Sequence, residues 1–187
     1  RTFTDISDSY IVNSPVNTGA LGSCAASFGH FDDDDNIDLF VAVCNEVNFA
    51  PTPWHVYQNN GDNTFTDVAA TTQLDKGGFW MCSAFADIDN DGDQDLFSTN
   101  LGSGNNHHLW RNNGDGTYVN IASEEMANNF WAWGCTFADF DNDGFVDLYY
   151  GGEGAAPFAR GGTGYLFMND GDSRFTLDLA SGIPDLD

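Results

Sequence analysis

The chain is nearly without positive charge. Its 187 residues hold five lysines and arginines against 29 aspartates and glutamates, a formal net charge of −24. A surface of that sign repels phosphate backbones and anionic headgroups, which argues against nucleic acid and membrane as partners. Long apolar runs are also missing. No stretch of about 18 hydrophobic residues is present to cross a bilayer as a helix. There is no initiating Met and no signal-like segment at Arg1, so the sequence is expected to be a mature product or a fragment. Cysteine is sparse, at four, and no two form a C-x-x-C pair, which removes the common zinc and redox motifs. An even count fits disulfides in an oxidising compartment, and the expected location is extracellular or cell-surface.

What is abundant points to strands. Aromatics make up 14% of the chain and glycine numbers 21, a mix that suits β-strands joined by tight turns and opposes disorder. About half of the acids fall into three short clusters, at 32–38, 87–95 and 139–147. Carboxylates crowded in this way repel one another unless a cation sits among them. The charge is therefore read mostly as metal sites.

The clusters belong to a repeat. Segments 28–40 (FGHFDDDDNIDLF), 85–97 (FADIDNDGDQDLF) and 137–149 (FADFDNDGFVDLY) align with one another. Each is followed by a second shared block: VYQNNGDNTFTDVA, LWRNNGDGTYVNIA and LFMNDGDSRFTLDLA. The period is roughly 50–57 residues. Each repeat reads as four short strands. The first (24–28, 81–85, 133–137) enters the acidic loop and the second (39–43, 96–99, 148–151) leaves it. The third (55–58, 108–111, 165–168) runs to an Asn-rich turn, and the fourth (64–68, 117–121, 174–177) follows that turn. Asn and Gly tolerate the positive φ of such hairpins. The expected fold is all-β, with propeller-type blades of four antiparallel strands. Blade repeats span about 19–70, 77–123 and 129–180 of one region, 1–187. A plain β-sandwich is the alternative, and the shared loop sequences disfavour it. Residues 1–7 resemble the fourth strand of a preceding blade, so the chain is expected to belong to a larger propeller or to a self-docking assembly.

The second and third clusters fit D-x-D-x-D-G-x-x-D. Asp87, Asp89, Asp91 and Asp95 fill the acidic positions of one, and Asp139, Asp141, Asp143 and Asp147 those of the other. Gly92 and Gly144 take position six, where the chain must turn sharply. Position seven offers a backbone carbonyl, from Asp93 or Phe145. Hard oxygen ligands in this number suit Ca²⁺ better than Mg²⁺. The first cluster departs: His30 replaces the first Asp and Asp35 the Gly. Asp32, Asp34 and Asp38 remain, with Asn36 at position seven, so a weaker third site is expected there. A solvated acidic turn is the alternative for any single cluster, and two full matches at one repeat position oppose it.

These blocks, FADIDNDGDQDLF, FADFDNDGFVDLY and LWRNNGDGTY, resemble FG-GAP/VCBS repeats, such as those of integrin α-subunit propellers and some lectins. The resemblance covers nearly the whole chain. It implies a several-bladed propeller with Ca²⁺ held in the loops between first and second strands, by the residues just named. It leaves function open among adhesion protein, lectin and accessory domain of a secreted enzyme. The expected partners are a protein or glycan outside the cell, or copies of the chain itself.

His55, His107 and His108 stand without a Ser or Cys in a triad-like context, so no enzyme activity is expected. Of the five tryptophans, most are expected to pack between blades, and exposed ones would suit a sugar ring. Cys24 and Cys44 lie almost symmetrically about Asp34 and are expected to bridge the hairpin. Cys82 and Cys135 sit at comparable places on successive first strands, as a second bridge or two buried thiols.

Overall fold

The short alternating runs on either side of each acidic cluster fold as antiparallel hairpins. The computed structural model describes residues 11–12, 22–32, 34–44, 52–74, 77–100, 106–127, 131–153 and 162–178. Residues 1–7, and with them the expected strand of a preceding blade, lie outside that set. So do most residues of the connections between second and third strands.

The first blade contains β2 (Gly22–Gly29), β3 (Asp38–Cys44), β5 (His55–Asn59) and β6 (Phe65–Asp67). The second contains β8 (Trp80–Ala86), β9 (Asp95–Asn100), β10 (His108–Asn112) and β11 (Tyr118–Asn120). The third contains β12 (Trp131–Ala138), β13 (Asp147–Glu153), β14 (Gly162–Asn169) and β15 (Phe175–Leu177). Each set pairs in chain order as an antiparallel sheet, as the repeat predicts. The first blade has one strand more than expected. A short β1 (Ile11–Val12) runs parallel to β6 at its outer edge. A small ribbon of β4 (Thr52–Pro53) and β7 (Gly77–Gly78) closes the side of the first two blades away from the acidic loops. No helix occurs among the described residues.

The blades stack face to face, and the core lies in the two seams. Phe31, Phe40, Trp54 and Val56 of the first blade meet Trp80, Leu96, Trp110 and Tyr118 of the second. Ile88, Phe97 and Leu109 of the second meet Leu148, Tyr150 and Phe167 of the third. Leu96 and Phe97 are neighbours on β9 and serve opposite seams, because successive side chains on a strand point to opposite faces. Covered on both faces, β9 is buried at every residue. The Trp54 and Trp80 rings stack across the first seam with centroids 4.1 Å apart. Replacing Trp80 with Ala would cost about 3–5 kcal/mol, as large-to-small core changes do. Trp54, Trp80 and Trp110 are thus packing residues, whereas Trp133 is 47% exposed.

Every first strand carries an irregularity at the same place, between Ser23 and Ala25, Trp80 and Cys82, and Ala132 and Gly134. The turns between third and fourth strands have the expected backbone. Gly61, Gly114 and Gly171 adopt φ of 75°, 71° and 87°. The ring of Phe145 lies 2.6 Å from where a Cβ on Gly171 would sit, so that glycine is required by space as well as by φ.

Candidate metal centres

Both complete acidic loops are built alike. In the second blade, Asp87 receives the N–H groups of Asp91 and Gly92 on its two carboxylate oxygens, at 3.1 and 3.0 Å. In the third, Asp139 receives Asp143 and Gly144 at 3.2 and 3.1 Å. Position four is left-handed in both, Asn90 at φ 56° and Asn142 at φ 63°, as is position six, Gly92 at 101° and Gly144 at 96°. A Cβ on either glycine would meet nothing within 4 Å, so the backbone conformation alone demands glycine there. The pair of left-handed residues folds the loop back on itself.

That curl gathers carboxylates. Oxygens of Asp87, Asp89 and Asp95 lie within 4.8 Å of one another, as do those of Asp139, Asp141 and Asp147. The carboxylates of Asp91 and Asp143 stand outside these two groups. Asp91 and Asp143 instead hold the N–H of position seven, at 2.9 and 2.8 Å.

The ninth residue anchors each loop from below. Asp38, Asp95 and Asp147 are buried, at 1%, 1% and 0% exposure. One carboxylate oxygen accepts the N–H of position two, from Phe31, Ile88 or Phe140. The other accepts the N–H of Asn59, Asn112 or Asn169 on the third strand. Burial pushes the Asp95 carboxyl up to about 7, with Asp89 and Asp91 adding like-charge repulsion, against the pull of its two N–H donors. Burial likewise pushes Asp38 up to about 6.

Those three asparagines are functional residues that the sequence reading missed. Each stands at the start of the turn block in its repeat, and that shared place was the available signal. Asn112 Nδ2 and Asn169 Nδ2 also donate to Phe31 O and Ile88 O in the preceding blade's loop, at 3.4 and 2.7 Å. One residue thereby ties the acidic loop, its own turn and the neighbouring blade.

The donor set fits a hard cation. One oxygen of Asp89 accepts Ser173 Oγ from the third blade at 3.1 Å. The other, Oδ1, is buried with no hydrogen-bond partner. A carboxylate oxygen is costly to bury unpaired, and a cation among the gathered oxygens would satisfy it.

The first loop is arranged differently. Asp32 accepts Gln58 Nε2 at 2.5 Å, and Asp34 accepts both the N–H and the Nδ2 of Asn36. Gln94 reaches over from the second blade to take the His30 N–H at 2.8 Å. Amide donors thus occupy the oxygens of Asp32 and Asp34. Among the described residues the first loop forms no carboxylate group like the other two.

The histidines serve the frame. His55 Nδ1 meets Asp67 Oδ2 at 2.6 Å. His107 is fully buried, with Nδ1 accepting the Asn100 N–H at 2.9 Å.

Comparison with known proteins agrees with this geometry. The family model described as FG-GAP-like repeat matches residues 30–98 and 90–150. Cartilage acidic protein 1 of Xenopus tropicalis is 35% identical over 95 residues, which is 50% of this chain and 14% of that protein. The repeat match covers well over half of the sequence, and the chain belongs to the FG-GAP-like repeat family.

Proposed function

We propose that this chain is a calcium-stabilised, extracellular β-propeller module that acts in adhesion or structural assembly and performs no catalysis of its own. The observation that carries the reading is the pair of identically curled acidic loops, with the buried, unpartnered Oδ1 of Asp89 in one of them. Asp87, Asp89, Asp91 and Asp95, with the Asp93 carbonyl, would hold one ion. Asp139, Asp141, Asp143 and Asp147, with the Phe145 carbonyl, would hold the other. Asp32, Asp34, Asn36 and Asp38 form a weaker third candidate. The ion supplies charge neutralisation to a turn whose carboxylates otherwise repel.

An extracellular setting is supported by the family and by the likeness to cartilage acidic protein 1. A Cys24–Cys44 bridge would suit that setting, and the backbone supports it: Cys44 pairs with Gly22 at the end of the β2–β3 ladder on which Cys24 lies. Non-reducing peptide mapping that recovered Cys24 joined to another cysteine would refute that pairing. The lectin reading keeps one specific support, the exposed Trp133 ring, and binding on a glycan array that Trp133→Ala abolishes would favour it.

Thermal melting with and without chelator tests the calcium reading. Saturating each site at a hundredfold excess over Kd adds about 3 kcal/mol, so chelation is expected to lower Tm by roughly 5–10 °C per site. An unchanged melt after verified metal removal would contradict it.

A further inference from the structure

We propose that Cys82 and Cys135 form a redox pair across the seam between the second and third blades, oxidised by a low-molecular-weight disulfide to a covalent inter-blade bridge. The two thiols lie on β8 and β12, which belong to different sheets. Their sulfurs are 3.1 Å apart, and both residues are partly exposed. At the corresponding seam between the first and second blades, Ser27 Oγ contacts the carbonyl and hydroxyl oxygens of Ser83, each at 2.7 Å. That seam has a hydrogen bond where this one has two sulfurs in contact.

The two sulfurs are not equivalent. Cys82 Sγ accepts the Cys135 N–H at 3.2 Å and the Cys135 S–H at 3.1 Å. Both donors stabilise a thiolate on Cys82. The Cys135 thiol, followed by its backbone N–H, pulls Cys82 down to about 6 despite burial. The same contact, together with burial, pushes Cys135 upward. Cys82 is the attacking sulfur and Cys135 the resolving one.

The chemistry balances as thiol–disulfide exchange. The Cys82 thiolate attacks one sulfur of the reagent disulfide. A mixed disulfide forms, the reagent S–S bond breaks, and one thiolate leaves. Cys135 then gives up its proton and attacks Cys82 Sγ. The Cys82–Cys135 bond forms as the mixed disulfide breaks and the second reagent thiolate leaves. The cysteines lose two electrons, and the reagent becomes two thiols that take up both protons. The product joins positions 53 residues apart and locks a seam otherwise held by packing and hydrogen bonds.

Oxidised glutathione at neutral pH is the probe, read by intact mass and by non-reducing peptide mapping of the full chain. The wild type is expected to yield a linked Cys82–Cys135 peptide and a Tm raised by about 10 °C. Cys135→Ser is expected to trap one glutathione on Cys82. Cys82→Ser is expected to leave Cys135 reacting at least about tenfold more slowly. The proposal is overturned if both thiols stay free, if either pairs with Cys24 or Cys44, or if Cys135 is trapped faster than Cys82. The wild-type map decides even where a variant fails to fold. Calcium is not needed for any of these readouts, so the result is separate from the metal reading.

Discussion

Asp95 combines deep burial with two backbone donors and two like-charged neighbours, and that combination sets the sign of the pH response. Its folded-state carboxyl sits near 7, above the ordinary value of 3.8. A raised carboxyl binds more protons folded than unfolded, so stability falls as pH rises through that window. Asp38, near 6, acts in the same direction. The metal-free chain is therefore expected to lose stability between about pH 4 and pH 7, against the usual trend for acidic proteins. Calcium should flatten the slope by taking over the charge. A chelated protein whose Tm climbs steadily over that range would contradict this assignment. The acidic positions themselves were legible in the sequence, because alternating Asp with a Gly at position six has few other uses. The partners of those carboxylates were not legible. That Gln58 turns its amide onto Asp32 depends on strand pairing within the first blade, and that Gln94 turns its amide onto His30 depends on blade stacking.

At the scale of the element, the repeat made the strands readable to within two or three residues, since acidic loop and Asn-rich turn bracket each one. The irregularity in every first strand escaped notice, because nothing in residue type marks it. It nevertheless puts Cys24 out of step with the ladder, while Gly22 takes the place opposite Cys44. The asparagine that opens each turn reads from sequence as a turn former alone. In the second and third blades its side chain spans two blades. Asn169→Ala would remove the bonds from Nδ2 to Ile88 O at 2.7 Å and to Val146 O at 3.1 Å. It would leave those carbonyls unpaired at a buried site, with an expected loss of about 1–3 kcal/mol. Asp170→Ala, at the next, exposed position, is expected to change stability by no more than about 0.5 kcal/mol. Equal effects in urea melts of the two variants would mean that Asn169 only shapes its own turn.

For the whole molecule, a single aromatic position shows how blades meet. Phe85 packs into the first seam, 6.2 Å from Phe40, and Phe137 packs into the second. Phe28 holds the same place on β2 and is 69% exposed. In the other two blades this ring plugs the blade before it. We infer that Phe28 is covered by another blade of the same type when the protein works, as part of a larger propeller or a neighbouring copy. The isolated chain, with charge repulsion screened by salt, is expected to associate as concentration rises, and Phe28→Ser to reduce that association. A monomer at all concentrations, indifferent to Phe28→Ser, would contradict the inference. The three phenylalanines look alike in the repeat, so residue type does not single out residue 28, although the expectation of a larger propeller or self-docking assembly implies an uncovered blade face.

Calorimetric titration of the chelator-stripped chain with Ca²⁺ shows whether the second and third acidic loops hold ions. Two tight sites and a weaker third are expected. Asp89→Ala and Asp141→Ala are each expected to remove one tight site, and Asp32→Ala to leave both in place. No binding, or a stoichiometry of tight sites that survives both Asp89→Ala and Asp141→Ala, would contradict the calcium reading.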